Sequence, residues 1–202
     1  MREDADYRRQ SLIDAAAQCL AEKGVAGTSV RAICARAGVS AGLLTHYFSG
    51  IDELIRETYR DLDRRVSDAL DAAVAAADED PRAKLGAYVT ANFEPPILDP
   101  ELLATWIAFW SLIRTEPAIA ADHRNSYAGY RRGIERLLAE CWGDAVPEDD
   151  IRMSAVAITA MIDGLWLELS LDDSAFTPGE ASAMAIKWLD SVLDRSAEEA
   201  AE

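Results

Sequence analysis

The stretch from residue 28 to 48, TSVRAICARAGVSAGLLTHYF, constrains the fold of this chain most. It predicts two short helices, the first capped by Thr28 and carrying its apolar residues at helical spacing. Gly38 is expected to end that helix in the left-handed conformation, and Ser40 to cap the second. Two short helices joined in this way form a helix-turn-helix, whose second helix can enter a DNA major groove.

The second helix has a start suited to phosphate, because free backbone N–H groups and the positive end of the helix dipole lie at Ser40 and Ala41. Gly42 is a poor helix former, and its presence in this helix indicates that another group approaches the backbone closely there. Thr45 is suited to a base edge or a thymine methyl, and the next two side chains have polar tips suited to phosphate. The candidate DNA contacts are Thr28, Arg31, Ser40, Ala41, Gly42, Thr45, His46 and Tyr47. By spacing alone, a helix pair packed inside a helical protein fits equally well.

The run GVSAGLLTHYF, preceded by TSVRAICARAG and followed by Leu54, resembles the DNA-binding head of the TetR family of bacterial repressors across roughly residues 8–56. Four segments are similar to the BetI branch of this family: 43–48 within that run, and 92–93, 106–110 and 162–167 beyond it. Members of this branch repress choline-to-glycine-betaine genes and respond to choline. The resemblance implies a repressor that dimerises through its last two helices. Ala41 and Ile51 depart from the family, which often has lysine at both positions.

Composition favours an all-α fold, since half of the 202 residues are hydrophobic and β-branched runs are few. We expect an N-terminal three-helix DNA-binding head over 1–50 and a helical ligand-binding and dimerisation body over 51–202, with about nine helices in all. The predicted helices cover about 8–23, 28–37, 40–48, 50–77, 81–93, 100–114, 117–141, 148–171 and 178–196. Capping patterns at Asp99-Pro100 and Thr177-Pro178 support two starts, and Ser49 with Asp52 is predicted to form a capping box.

The net charge of −16 is unevenly distributed. Residues 1–50 hold six basic and five acidic residues, a net +1, so the remainder carries −17. A nearly neutral head on an acidic body suits a protein that touches DNA at one end only. An acidic surface also favours solubility in any protein.

Several classes of protein are not indicated by the sequence. There is no uninterrupted apolar run of about 18 residues, which predicts a cytoplasmic protein with no membrane segment. His46 and His123 are the only histidines, and neither a Cys-x-x-Cys pair nor a nucleophile or phosphate-loop motif occurs. We therefore expect no enzymatic activity, no cofactor and no metal. The three cysteines are expected to be reduced core residues.

Two body helices, 100–114 and 148–171, are more apolar than a single core face requires. Asp163 lies among these apolar residues, and a carboxylate there needs a partner. Aromatic faces balanced by an acid suit a quaternary ammonium ligand. The candidate ligand residues are Trp106, Trp110, Asp163, Trp166, Phe93, Glu94 and Tyr127.

A structural alternative stays open for the same residues. The tryptophans could be ordinary core residues, with Asp163 paired to an arginine or capping a helix. Surplus apolar surface could also pack against a second chain in a near two-fold bundle. Expected interface residues are Ile158, Leu165, Met184, Trp188, Leu189 and Val192, with Trp166 and Trp188 assigned either to the pocket or to the interface.

The sequence thus predicts a ligand-responsive regulator that binds a near-palindromic operator as a homodimer and is released by a small molecule, choline or a related amine. One alternative is a helical ligand-binding or adaptor protein that does not bind DNA. The other is a TetR-type regulator of unrelated genes with an apolar ligand.

Overall fold

A computed structural model describes residues 2–172 and 174–199, with side chains from 5 to 172 and from 174 to 194. Within those residues the chain folds into nine α-helices and one short 3₁₀ helix, Gly143–Ala145, with no strand. The α-helices are α1 (Arg2–Gly27), α2 (Val30–Ala37), α3 (Ala41–Tyr47), α4 (Ile51–Ala76), α5 (Pro81–Ala91), α6 (Pro100–Ile113), α7 (Pro117–Trp142), α8 (Glu148–Leu171) and α9 (Pro178–Glu199). The predicted all-α class is confirmed.

Local capping chemistry sets the start of several helices. The Asp99 side chain accepts a hydrogen bond from the Leu102 N–H at 3.0 Å, and proline occupies the first helical position of α6. At α9, the Thr177 N–H donates to Glu180 Oε2 at 2.8 Å, while the Glu180 N–H donates to Thr177 Oγ1 at 3.3 Å. This reciprocal pair is a capping box at the predicted start of α9.

Two predicted caps are wrong by one residue. Ser29, not Thr28, caps α2, because its side chain accepts from the Ala32 N–H, while Thr28 Oγ1 donates to the Gly24 carbonyl at 2.8 Å. At α4 the Ser49 N–H donates to Glu53 Oε2 at 2.6 Å, where Asp52 was the predicted partner. The carbonyl of Gly50 accepts the first helical hydrogen bond from Leu54, which makes Glu53 the third helical residue and the one able to reach back.

The first helix starts at Arg2, earlier than predicted, and its regular geometry breaks where its end was predicted. Gly24 has φ 61° and ψ −171°, a backbone conformation that residues with a Cβ rarely adopt. The helical run on either side of Gly24 is therefore two segments joined at a kink.

The chain divides into two compact units. The first contains Met1–Arg65 and Asp99–Arg124, and the second contains Val66–Leu98 and Asn125–Glu202. Both α4 and α7 have residues in each unit. The functional division at residue 50 follows the motif and remains a prediction.

In the first unit, α1 packs against α2 and α6, and α2 packs against α3. Thr105 on α6 donates its hydroxyl to the Ala17 carbonyl of α1 at 3.2 Å and to Glu101 of its own helix at 2.8 Å. The core of the head consists of Leu12, Ile13, Ala15, Ala16, Cys19, Ile33, Cys34, Leu44, Phe48 and Leu54. This core holds the three N-terminal helices together and leaves one side of α3 exposed to solvent.

In the second unit, α9 packs against α5 and α8. The Arg82 guanidinium of α5 bridges Asp190 at 2.7 Å and Asp194 at 2.9 Å on α9. Ile158, Leu189 and Val192 are 0%, 2% and 8% exposed and lie in the core of the protomer. Their predicted place at a dimer interface is therefore wrong, because packing within one chain already covers them.

Candidate DNA-binding and ligand-binding sites

The helix-turn-helix is built by local contacts. Gly38 ends α2 with φ 66° and ψ 32°, and its N–H donates to the Cys34 carbonyl. Ser40 begins α3 by accepting the Leu43 N–H on its hydroxyl at 3.3 Å. Leu44 is fully buried in the head core. This single anchor leaves the opposite side of the short helix exposed to solvent.

The exposed side of α3 carries the predicted DNA contacts Ala41, Gly42, Thr45 and His46. The Thr45 hydroxyl donates to the Gly42 carbonyl at 3.0 Å, so its methyl group and oxygen lone pairs are what it can present outward. The nearest neighbour of a Cβ built on Gly42 would be Ser40 Oγ at 3.8 Å, so packing within the head does not require glycine there. The His46 and Tyr47 rings pack edge to face with centroids 5.0 Å apart, and Tyr47 is half-buried against the head core.

The basic side chains of the head differ in whether they form ion pairs within the head, which decides whether they are available to bind phosphate. Arg31 is exposed on α2 and forms no ion pair with any side chain that the structure describes. Arg36, also on α2, pairs with Glu22 and donates to Gln18 Oε1 at 3.1 Å, which ties α2 to α1. Thr28 is half-buried with its hydroxyl bound to Gly24, and its DNA contact remains a prediction.

The two positions where the family often has lysine are not equivalent in this head. Ala41 is exposed at the start of α3. Ile51 is half-buried and packs against the head core. An apolar contact within the head therefore occupies the second position, whereas the first is open to solvent.

In the second unit, Asp163 on α8 accepts a hydrogen bond from the Tyr127 hydroxyl of α7 at 3.2 Å. Burial raises the pKa of Asp163 to about 6, despite the opposing effects of the Tyr127 hydrogen bond and the Arg131 charge. Among the described side chains, neither arginine nor lysine forms an ion pair with this carboxylate. A carboxylate partnered by a phenol, in surroundings that disfavour its charge, is suited to bind a cation.

A second hydrogen-bond network, centred on Asn92, lies in the same unit as this carboxylate. Tyr130, one helical turn after Tyr127, donates its hydroxyl to Asn92 Oδ1 at 3.1 Å. Asn92 is 3% exposed, and its carbonyl accepts the Trp166 indole N–H at 2.7 Å. The Asn92 amide also donates to the Tyr88 carbonyl of α5 at 2.8 Å, and the bonds from Tyr130 and Trp166 join this end of α5 to α7 and α8. This network fixes the side chains next to Asp163.

The aromatic rings of the network are close enough to form one cluster. The Tyr127 and Tyr130 ring centroids are 6.4 Å apart, and those of Tyr88 and Tyr130 are 5.4 Å apart. Sequence reasoning missed Tyr88, Asn92 and Tyr130 as site residues. The i, i+3 spacing of the two tyrosines on α7 was a usable signal, whereas nothing local marked Tyr88 or Asn92.

The other predicted ligand residues lie in different places. Phe93 and Trp166 are buried at 3% and 8% exposure in the second unit, and Glu94 is exposed. Trp106 and Trp110 belong to the first unit. Trp106 packs edge-on to Tyr59, with centroids 5.2 Å apart, which is core packing. The structure thus brings Tyr127 and Asp163 into contact and links Trp166 to their neighbours through Asn92.

The outer face of α8 is apolar. Met153, Val156, Leu167 and Leu171 are 54%, 38%, 38% and 69% exposed, and the smaller Ala157, Ala160 and Gly164 lie exposed along the same helix. Met184 of α9 is 43% exposed. By length and composition α8 could cross a membrane, although one side of it, including Ala155, Ile158 and Ile162, is buried in the protomer. An apolar surface of this kind is typical of a protein interface.

A helix-turn-helix head together with an all-helical body is the architecture of a class of DNA-binding transcriptional regulator. Residues 12–58 match the family of bacterial regulatory proteins described as the tetR family. Residues 81–194 match the C-terminal domain of BetI-type transcriptional repressors. The chain belongs to the TetR family with a BetI-type C-terminal domain, and it is a transcriptional regulator, not an enzyme.

Individual relatives extend over most of the chain. The HTH-type transcriptional regulator BetI of Burkholderia thailandensis is 35% identical over 188 residues, which cover 93% of this chain and 94% of that protein. A solved transcriptional regulator from Pseudomonas aeruginosa PAO1 is 36% identical, with a TM-score of 0.86 and coverage of 94% and 91%. A regulator from Saccharomonospora viridis, solved in complex with choline, shares the fold at a TM-score of 0.81 and 17% identity, with coverage of 92% and 96%. The predicted family is confirmed.

Proposed function

We propose that this regulator is a repressor that binds a near-palindromic operator as a homodimer and releases it when choline or a related quaternary amine binds the body. The observation that carries the ligand proposal is the half-buried Asp163 carboxylate, which accepts a hydrogen bond from Tyr127 and whose pKa burial raises to about 6. Residues 1–50 bind DNA, and residues 51–202 bind the ligand and form the dimer. A cytoplasmic location is part of the same proposal.

The chemistry of the cluster favours a quaternary amine over a neutral ligand. Burial disfavours the charged form of Asp163, so a cation next to it recovers electrostatic energy that solvent does not supply there. The rings of Tyr127 and Tyr130 and the indole of Trp166 supply π faces, which bind ammonium groups. The choline complex of the Saccharomonospora viridis regulator supports the same ligand class. Trp106, Trp110, Phe93 and Glu94 remain further ligand candidates.

The DNA proposal rests on the exposed side of α3. Thr45 reads a base edge or a thymine methyl, and His46, Tyr47 and Arg31 contact phosphate. The start of α3, at Ser40, Ala41 and Gly42, lies against the DNA backbone. Two such heads read successive major grooves when they are about 34–36 Å apart.

The dimer forms when the exposed apolar sides of α8 and α9 pack against the same sides of a second copy. Met153, Val156, Leu167, Leu171 and Met184 are large apolar side chains that a monomer would leave in water. The small residues along α8 allow the two copies of this helix to approach closely. A self-complementary contact of this kind closes as a two-fold dimer.

A fluorescence anisotropy titration tests this function directly. Wild-type protein is titrated against labelled DNA from upstream of its own gene at two salt concentrations, and choline is then added to the complex. We expect saturable binding that weakens with salt and is reversed by choline, with a coupling of about 1–3 kcal/mol. Binding that ignores choline would reject this ligand and favour an apolar one, and no binding at either salt would reject this operator.

Matched variants then assign the ligand site. Asp163→Asn, which keeps the volume of the side chain, is expected to lose the choline response and keep operator binding. Trp110→Ala tests one of the two candidate tryptophans of the first unit in the same assay. Equal loss of operator binding and choline response in Asp163→Asn would mean that Asp163 is only structural.

A further inference from the structure

A series of charged contacts in the first unit begins at Asp122 on α7. Its carboxylate accepts hydrogen bonds from Arg56 Nε at 2.5 Å and Nη2 at 3.0 Å, and from Nε and Nη2 of Arg60, both at 3.2 Å. The Asp122 side chain is 11% exposed. The hydrogen bonds from Arg56 hold the pKa of this carboxyl below its usual value, against the effect of burial. Asp122 is therefore a charged partner shared by two arginines of α4.

The series continues from Arg60 to the end of α3, which we call the recognition helix because it carries the proposed DNA contacts. Arg60 Nη1 donates to Glu57 Oε1 at 2.9 Å, and the other oxygen of Glu57 accepts from Arg9 Nη2 of α1 at 2.5 Å. The Arg9 guanidinium lies 5.2 Å from the centroid of the Phe48 ring. Phe48 is 2% exposed and is the C-cap of α3, where its N–H donates to Leu44. We name Asp122, Arg60, Glu57 and Arg9 the relay.

Competition for shared partners lets the relay transmit a change. Arg60 divides its donors between Asp122 and Glu57, and Glu57 divides its oxygens between Arg60 and Arg9. When Asp122 moves away, Arg60 draws Glu57 more strongly, and Arg9 loses part of its hold on Glu57. The guanidinium over Phe48 then shifts, because its position depends on that ion pair.

Helix α7 carries Asp122 in the first unit and Tyr127, five residues later in the chain, in the second. A second contact joins α7 to α4 here, since the Tyr59 hydroxyl and His123 Nδ1 are 3.2 Å apart. Asp122 and His123 thus both join α7 to α4 within the first unit.

We infer that the relay sets the position of the recognition helix and that Asp122 is the positioning residue through which α7 controls operator affinity. The control by effector rests on the proposed function. The control of α3 by Asp122 does not, because all of its contacts lie in the first unit and need no ligand.

A double-mutant cycle without ligand tests the relay. The probe is a duplex that the wild-type protein selects from a random library, and its Kd is measured for Asp122→Asn, Arg9→Gln and the double variant. Each single variant is expected to weaken binding, and the double variant to depart from additivity by at least about threefold, as for residues in one network. Additive effects would overturn the relay. A wild type that selects no duplex would overturn both the relay and the DNA-binding function.

A matched control uses another ion pair between α1 and α4. Asp14 pairs with Arg65 at 2.6 Å and has no contact with the relay among the described side chains. The cycle of Asp122→Asn with Asp14→Asn is expected to be additive. Equal non-additivity in both cycles would contradict the relay and indicate a general loss of head stability. Asp122→Glu keeps the carboxylate and is expected to restore the coupling.

A second experiment tests the role of Asp122 in the effector response and shows whether choline is the ligand. Choline binding to DNA-free protein is followed by tryptophan fluorescence, and operator release by anisotropy. Asp122→Asn is expected to bind choline as wild type does but to release operator with a smaller change in Kd. Release equal to that of wild type would overturn the role of Asp122 in the response. If wild type binds no choline, the proposed ligand fails, and the ligand-free cycle still decides the relay.

Discussion

Helix α3 and the middle of α8 differ in the solvent exposure of their polar side chains. In α3, seven residues long, Leu44 alone is buried, and the groups suited to DNA face solvent. In α8, Asp163 is half-buried, and the nearby Trp166 donates a hydrogen bond to the carbonyl of Asn92, the C-cap residue of α5. Solvent already satisfies the polar groups of α3, whereas those around Asp163 depend on protein partners.

This contrast separates function from stability in the two regions. We expect a change on the exposed side of α3 to remove a proposed contact with DNA and to leave the head core intact. We expect a change at Asp163 to alter both the proposed ligand binding and folding, because the carboxylate carries a desolvation cost in the folded state. The following variants test that difference, from the largest expected effect to the smallest.

Leu44→Ala should have the largest effect, because it removes the fully buried anchor of the recognition helix. We expect a loss of about 2–5 kcal/mol in the free energy of unfolding, measured by urea denaturation, together with loss of operator binding. Thr45→Ala, on the exposed side of the same helix, is the control and should change stability by about 0.5 kcal/mol or less. Similar costs for the two variants would mean that α3 is not anchored through Leu44.

His46→Ala and Tyr47→Phe should weaken operator binding without unfolding the head. His46 is exposed, and Tyr47→Phe keeps the half-buried ring while it removes the hydroxyl. A lost hydrogen bond to a charged phosphate costs about 1.5–3 kcal/mol, so Kd should rise by about tenfold or more in anisotropy titrations. Ala35→Ser, an exposed position on α2, is the control. Wild-type operator affinity in either variant would remove that residue from the DNA contacts.

Asp163 should make stability and ligand affinity depend on pH between about 4 and 6. Its pKa is raised in the folded state to about 6, so the charged carboxylate destabilises the fold, and this cost is absent below its ordinary pKa and complete above 6. Relative to Asp163→Asn, wild type should lose unfolding free energy as pH rises through this window. Choline affinity should rise over the same window, because the carboxylate gains its charge while choline stays cationic.

Asp122 is the control of opposite sign for this pH series. Its pKa is lowered in the folded state, so the stability that it contributes is present above its ordinary pKa and is lost as pH falls through the folded value. Urea denaturation at a series of pH values should therefore show opposite trends for Asp163→Asn and Asp122→Asn, each relative to wild type. Parallel trends would contradict the assignment of a buried acid to the first and an ion pair to the second.

Ala41→Lys should have the smallest effect, which is visible mainly in the salt dependence of operator binding. Ala41 is exposed, so the variant should fold as wild type does and gain about one unit in the slope of log K against log salt for one added phosphate contact. Ile51→Lys is the matched comparison, because Ile51 packs against the head core and its replacement should also lower stability. An unchanged slope for Ala41→Lys would mean that this position does not face phosphate.

Local chemistry in the sequence determined the helices and their order. Asp99, Thr177 and Gly38 mark boundaries correctly because a cap acts over three or four residues, a distance at which sequence and space coincide. The two caps that were predicted wrongly, at Thr28 and Ser49, missed by a single residue. The helix-turn-helix and the exposed candidates on α3 could be predicted for the same reason.

Tertiary structure alone decided which side chains share an interior. The Trp166 indole binds the carbonyl of Asn92, 74 residues earlier, and Arg9 meets Glu57 on another helix, although no local spacing marks either pair. It also placed Trp106 in the first unit, Asp163 in the second, and Ile158 in the core of the protomer. A helical pattern gives the apolar side of a helix but not the helix that covers it, because that choice depends on the packing of the whole chain.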